Sequence, residues 1–379
     1  LRHERHMKAA RKPASDIREI SLRSRKAQYT YLAKLAEGCT SQTAILYRDN
    51  ECILPLVDLL ERNGIPYQMR NAELSFFSHR TILDIINIIK LAQKPMDTEA
   101  FLQIYYKIGT YLRKQDAIRI ARISEEKRIP VLDVAAEDPD LNGHVLGSVR
   151  SMRTHLQNLL QDSGERALYR IMQYMGYQEY LNRSGLSDSK LEILRILGSR
   201  ADSPMELAER LEQLKVLIRE KEPDRKCPLI LSTIHASKGL EYDSVYLIDV
   251  ADGILPESIP QNLHQASAEE LKAYEEERRL FYVGVTRAKD HLTLFTTNRP
   301  STFCSEFLGK SSVTEEGRKN LMPVESRISR TFKQARPYAA VAGIRQTKAS
   351  EELYFRLKEE LGTGVIVEHK KYGEGVVTQ

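Results

Sequence analysis

Leu229-Ile230-Leu231-Ser232-Thr233-Ile234-His235-Ala236-Ser237-Lys238-Gly239-Leu240-Glu241 is the stretch on which the fold turns. It opens as a short apolar run, passes into a polar turn, and is followed almost at once by a second apolar run at 244–250. Nearly continuous Ile, Leu and Val over so few residues suits a strand covered on both faces, since neither face has to meet water. Runs of the same kind stand at 44–47 and 291–296. Between them lie helical patterns. Residues 54–62 end at Asn63-Gly64, a good C-terminal cap, residues 81–91 stop at Lys94-Pro95, and residues 275–288 form a third helix. Strands alternating with helices predict an α/β domain with a parallel sheet.

From 99 to 222 the strand signals vanish. Val145, Val149, Met152, Leu156, Leu159 and Leu160 recur at three- and four-residue steps, as do Leu168, Ile171, Met172 and Met175 up to Gly176. Leu191, Leu194, Ile196 and Leu197 suggest another helix. The strand–helix unit before Pro95 is too small to fold alone, and its partner strands come after Cys227. The sequence therefore predicts an all-helical domain, 99–224, inserted into an α/β domain whose parts are 43–98 and 225–309. A basic segment, 1–42, leads in. A polar stretch, 310–350, reads as a linker. A small β-like tail, 351–379, has Gly362, Gly364, Gly373 and Gly375 around its apolar residues.

The chain's 379 residues allow two or three domains with buried cores. No window approaches the run of ~18 apolar residues that a membrane helix needs, and no secretory signal opens the chain. Its first residue is Leu1 rather than Met, which reads as a fragment or a processed chain. Cys39, Cys52, Cys227 and Cys304 include no C-x-x-C pair, so they read as reduced thiols of a cytoplasmic protein rather than a zinc site or a redox pair. The net charge of +5 permits a nucleic-acid partner without arguing for one. The basic run from Arg2 to Lys26 reads as a solvated or disordered terminus.

The turn after residue 232 carries the first chemical signal. A polar turn at the C-terminal edge of a parallel strand is where open α/β sheets bind ligands. Thr233 and His235 offer a hydroxyl and an imidazole to phosphate or sugar oxygens, and Lys238 offers a point charge. Gly239 lets backbone approach closely, and Glu241 can accept from sugar hydroxyls. Taken singly, each serves structure more readily than function; together, in this order, they make a specific signature. The second signal is Glu275-Glu276-Glu277-Arg278-Arg279-Leu280-Phe281-Tyr282-Val283-Gly284-Val285-Thr286-Arg287-Ala288. Helical spacing puts Leu280, Val283, Gly284 and Arg287 on one face. Leu280 and Val283 would pack on the sheet, and Arg287 could project across a cleft, where a planar cation suits the charge on a transferred phosphoryl group. A surface helix with Glu/Arg pairs is the competing explanation of that spacing.

These two strings resemble the fifth and sixth helicase motifs of the UvrD/PcrA/Rep family of superfamily 1 DNA helicases. Ala44-Ile45-Leu46-Tyr47-Arg48-Asp49-Asn50 is similar to a further family segment, as are Asn63-Gly64-Ile65-Pro66-Tyr67, the Phe76-Phe77 pair and Gly176-Tyr177-Gln178-Glu179-Tyr180. The resemblance runs from Thr43 to about Leu308 and is weakest over the helical block. It implies the second of two RecA-like domains, with ATP and Mg2+ bound between them. It further implies Arg287 as an arginine finger, Glu241 on the ribose, and Lys238 and Gly239 lining the nucleotide. Thr233, His235, Arg48 and Asn50 would contact single-stranded DNA. The implied partners are single-stranded DNA, junctions of single- and double-stranded DNA, an N-terminal RecA-like domain carrying the magnesium ligands, and RNA polymerase through a Tudor-like module begun by the tail. The implied activity is ATP-driven 3′-to-5′ movement on DNA.

The chain departs from the family pattern in several places. It contains no G-x-x-x-x-G-K-[ST] phosphate loop, so by itself it is expected not to hydrolyse ATP. The family's Tyr-Arg motif is not evident before Thr43. Glu257 stands where some relatives carry a DNA-contacting His, and Asn71-Ala72 replaces a Gly-Gly pair. The alternative to a motor half is a non-catalytic DNA-binding or regulatory module derived from a helicase. A helicase–nuclease subunit would need a nuclease domain that nothing in this sequence supplies.

Overall fold

A computed structural model describes residues 16–70, 75–185, 189–221, 226–260, 262, 265–297 and 300–310, and the backbone of 366–369 and 373–376. Residues 1–312 make up one unit and residues 313–379 another. In the first unit the chain begins with β1 (Asp16–Leu22), α1 (Arg25–Glu37) and β2 (Thr43–Tyr47), then a 3-10 turn at Asn50–Ile53. It continues through α2 (Leu54–Arg62), β3 (Gln68–Met69), α3 (Ser75–Ser78) and α4 (Arg80–Gln93). A helical run follows: α5 (Thr98–Ile104), α6 (Lys114–Lys127), α7 (Val131–Ala136), α8 (Gly143–Leu159), α9 (Gly164–Gln173), α10 (Tyr177–Ser184), α11 (Ser189–Gly198) and α12 (Pro204–Glu220). The chain then returns to the sheet with β4 (Leu229–Thr233), β5 (Tyr242–Leu247), α13 (Ala268–Val285), β6 (Ala288–Thr297) and α14 (Thr302–Phe307).

The six strands form one parallel sheet in the order β1-β6-β5-β2-β4-β3. Successive side chains of a strand point to opposite faces, and β2 shows the consequence. Ile45 and Tyr47 enter a core shared with α1, α2 and the helical run, whereas Ala44 and Leu46 enter a second core against α13 and α14. Both faces are covered, which is why the central strands read as unbroken apolar runs. The helical run lies between β3 and β4, which are neighbours in the sheet. Two of its helices meet closely: a Cβ at Gly164 would fall 2.7 Å from the Gly198 carbonyl oxygen. Ion pairs tie the run to the α/β part, with Arg200 and Arg210 reaching the buried Asp58 of α2, and Lys190 reaching Glu51.

Three expectations need correction. Part of the basic leading segment is not a solvated terminus: β1 is an edge strand paired with β6 from Asp16 opposite His291 to Leu22 opposite Thr297. In α1 the stripe Tyr29, Leu32, Ala33 and Ala36 is buried, and Ser24 caps its start by accepting from the Ala27 amide at 3.2 Å. Arg25, counted in the basic run, is only 7% exposed. The run at 244–250 leaves the sheet after Leu247, because Asp249 takes a left-handed conformation with φ 55°. The helix expected at 275–288 starts earlier, at Ala268, behind a capping box in which Ser267 and Glu270 bond reciprocally, and ends at Val285. Arg287 therefore sits in the turn beyond the helix rather than on its face.

Among the described residues none of the four cysteines is joined in a disulfide, and no helix is long and apolar enough to cross a membrane. In the second unit, β7 (Ile366–His369) and β8 (Gly373–Val376) pair antiparallel. The rest of the linker and tail expected at 310–379, past Lys310, lies outside the described residues.

Candidate functional site

The candidate residues gather at the C-terminal edge of the sheet and at the turn that follows α13. Tyr47 stands opposite Thr233 in the β2–β4 ladder, and the Ile234 amide donates to the Tyr47 carbonyl at 2.9 Å. The ladder thus brings Arg48, which follows Tyr47, to the same end of the sheet as Thr233, while Asn50 opens the 3-10 turn beyond β2 and His235 lies in the turn beyond β4. The turn after β4 closes on itself. The Thr233 hydroxyl accepts from the Ala236 amide at 3.2 Å, and the Ser237 hydroxyl donates to the Ile234 carbonyl at 2.7 Å. Gly239 completes the turn at φ 84°, a conformation that side-chain-bearing residues rarely adopt. With its backbone satisfied internally, the turn leaves His235, Lys238 and Glu241 exposed, and none of these side chains has an ion pair or hydrogen bond among the described residues.

Arg287 approaches the same turn from the other side. Its Nε donates to the Val283 carbonyl at 2.9 Å, Nη1 to the Leu240 carbonyl at 2.8 Å and Nη2 to the Thr286 hydroxyl at 2.9 Å. The Tyr242 amide returns a bond to the Arg287 carbonyl at 2.9 Å. Arg287 is thereby fixed next to Leu240, between Gly239 and Glu241. A guanidinium carries five N–H donors. Three are used here, so one N–H on each terminal nitrogen is left for an anion.

Arg48 is engaged differently from what the sequence suggested. Glu277 of α13 takes its Nε at 3.0 Å and its Nη2 at 2.7 Å in a forked pair. Asp49 accepts from Nη1 at 2.6 Å, and Glu257 accepts from Nη2 at 2.7 Å. Burial works against this charge, but Glu277 and Asp49 outweigh it and raise the Arg48 pKa above its ordinary value. The sequence did not single out Glu277. It sits in a run of three glutamates, and only the packing of α13 decides which of them faces inward.

Helix α13 connects the two groups, with Glu277 on Arg48 near its middle and Arg287 just past its end. Ten residues separate them, about 15 Å along a helix. Close packing holds the helix in place: a Cβ at Gly284 would lie 3.3 Å from Leu247 Cδ1 and 3.6 Å from Ile234 Cγ2. Gly284→Val is therefore expected to lower the unfolding free energy by about 1–3 kcal/mol through overpacking. Urea denaturation checks this, and a variant as stable as the parent would show that α13 can shift off β5 freely.

Among the described residues no cluster of three or more metal-ligating side chains occurs. A bound nucleotide would find cations in Arg287 and Lys238 and a hydroxyl acceptor in Glu241.

Comparison with known proteins gives a family. The UvrD-like helicase C-terminal domain matches residues 11–299. The chain is 29% identical over 288 residues to ATP-dependent DNA helicase Rep of Escherichia coli (strain K12), covering 69% of this chain and 40% of that one. It is 26% identical over 303 residues to ATP-dependent DNA helicase PcrA of Bacillus subtilis (strain 168), covering 73% and 39%. It is 25% identical over 362 residues to DNA helicase II of Haemophilus influenzae, covering 90% and 47%. The chain thus spans less than half the length of each of these relatives.

Proposed function

Because the chain belongs to the UvrD-like helicase C-terminal domain family, we propose that it is the C-terminal motor half of an ATP-dependent 3′-to-5′ DNA helicase or translocase. It would supply an arginine finger and one wall of the single-stranded DNA track. The observation that carries this reading is that α13 holds two arginines: Glu277 holds Arg48 at the C-terminal end of β2, next to β4, and the Val283 carbonyl holds Arg287, which also reaches Leu240.

In this reading, DNA lies along the C-terminal ends of β2 and β4. Thr233, His235, Arg48 and Asn50 meet its backbone. Such contacts position a strand without reading its sequence. The nucleotide lies at the Gly239–Glu241 turn, with Glu241 accepting from a sugar hydroxyl and Lys238 beside the phosphates. Bound ATP with Mg2+ supplies the phosphoryl group whose transfer drives movement. The free N–H pair of Arg287 neutralises charge that builds on that group. Since α13 is one continuous helix and Arg287 is bonded to Val283 near its end, a shift at Arg287 would be passed along it to Glu277, and with it to Arg48 on the DNA side. The phosphate cradle and the magnesium ligands would come from an N-terminal RecA-like domain, so this half alone is expected not to hydrolyse ATP.

Binding of a fluorescent oligothymidylate by this chain tests the DNA half of the proposal. With two or three phosphate contacts, log K should fall with log salt at a slope of about −1.4 to −2.1, roughly a five- to tenfold loss for each threefold rise in salt. Binding that ignores salt, or that Arg48→Ala and His235→Ala leave unchanged, would remove the track from this edge of the sheet.

A further inference from the structure

The geometry points to Glu257 as the residue that sets how tightly the chain holds single-stranded DNA, because it occupies Arg48 where a strand phosphate would bind. The inference rests on the proposed DNA track and adds to it a residue that tunes affinity. Three carboxylates surround the Arg48 guanidinium, and they are not equivalent. Glu277 is 17% exposed and holds Arg48 in a two-pronged pair. That pair aims the guanidinium. Asp49 lies next to Arg48 in the chain and takes one N–H of Nη1, leaving the other free. Glu257 takes the second N–H of Nη2, whose first already belongs to Glu277, so Nη2 has nothing left to offer.

Glu257 is also the most exposed of the three, at 67%, and it reaches Arg48 from a separate loop after β5 rather than from the helix that positions it. An exposed ion pair is weak and exchanges readily. A phosphate oxygen asks for the same donor geometry as a carboxylate oxygen. The Glu257 carboxylate therefore stands in for the phosphate until DNA arrives, and has to leave Nη2 when it does. Its departure leaves a negative charge close to the strand.

Exchange of this kind has a signature in salt dependence. When a phosphate binds a free arginine, cations condensed on the DNA are released and binding weakens with salt. When it must first displace Glu257, the freed carboxylate gathers cations of its own, and the two effects offset each other. Removing the Glu257 charge should both tighten binding and make it more sensitive to salt.

The test is titration of the 379-residue chain with a fluorescent oligothymidylate over a range of salt concentrations. The variants are Glu257→Gln, Arg48→Ala, the double variant, and Glu276→Gln, which removes the same charge from an exposed position on α13. Glu257→Gln is expected to bind about two- to fivefold more tightly at low salt. Its slope should be steeper by about 0.7, the value for one single-strand phosphate. In the Arg48→Ala background the same substitution should change neither quantity. No gain from Glu257→Gln, an equal gain without Arg48, or an equal gain from Glu276→Gln would each overturn the inference while leaving the DNA track intact. No binding by either the parent or Glu257→Gln would overturn the track, and the inference with it.

Discussion

Asp249→Ala is expected to cost the protein about 3–5 kcal/mol of unfolding free energy, the range for removing one partner of a buried ion pair. Asp249 is 1% exposed at the end of β5, and Arg25 of α1 holds it with both prongs, Nε at 2.9 Å and Nη2 at 2.6 Å. Gln28 completes the arrangement, donating to the carboxylate at 2.8 Å and accepting from the Asp249 amide at 3.1 Å. Tyr29 donates to the Cys52 carbonyl at 2.6 Å and accepts from Arg25 at 3.2 Å. Burial opposes the charge on Arg25, but Asp249 more than compensates and holds its pKa above the ordinary value. Without Asp249 that cation would keep, as its counter-charge among the described residues, Glu192 of α11, which is 54% exposed. Alanine would also inherit φ 55°, a conformation that adds strain for a side chain that cannot bond locally. Asp249→Gly separates the two effects, since glycine accepts the dihedral freely. It should remain strongly destabilised, because Arg25 is orphaned all the same. Urea unfolding of both variants, with Arg25→Ala and the double variant completing a cycle, measures the coupling. A loss below about 1 kcal/mol in Asp249→Ala would mean that the pair, for all its burial, only breaks even against its desolvation.

The same pair shows where reading the sequence stops. Residues 44–47 and 229–232 announced themselves as strands because both faces of β2 and β4 are covered, leaving no polar position to interrupt the run. The run at 244–250 obeyed the same rule and still misled. Its last apolar residues, Ile248 and Val250, are buried, but Asp249 between them turns the chain out of the sheet, and only its distant partners reveal why. Arg25 and Asp249 are 224 residues apart, a separation no local pattern can bridge. The edge strand β1 failed to signal for the opposite reason. With one neighbour and three charged residues among its seven, Asp16-Ile17-Arg18-Glu19-Ile20-Ser21-Leu22 carries no continuous apolar run. The start of α13 was legible in principle, since Ser267 and Glu270 stand at the spacing of a capping box, but the polar first turns hid the period. In the candidate site, the residue types and their order could be read from the two strings. What they touch could not: Arg48 meets Glu257 and Glu277 across 209 and 229 residues.

In the proposed two-domain motor, Arg287→Ala is expected to lower DNA-stimulated ATP turnover by about 10³–10⁵-fold, the range for loss of an arginine finger. With Val283, Leu240 and Thr286 holding three of its N–H groups, the guanidinium has little rotamer freedom left to lose when an anion arrives. Its two remaining N–H groups present charge to a phosphoryl group with the alignment already set, which is where electrostatic stabilisation is most effective. Arg287→Lys should recover little. An ammonium cannot hold the Val283 and Leu240 carbonyls and an anion at once in the geometry of a planar fork. Oligothymidylate binding by either variant should stay within about threefold of the parent, because the proposed track contacts lie at the ends of β2 and β4 and a surface change away from them is worth little. The informative result is therefore a split: turnover lost, strand binding kept. Turnover within a few-fold of the parent would make Arg287 a brace between α13 and the Gly239–Glu241 turn. The chain would then contribute to DNA binding without contributing to phosphoryl transfer.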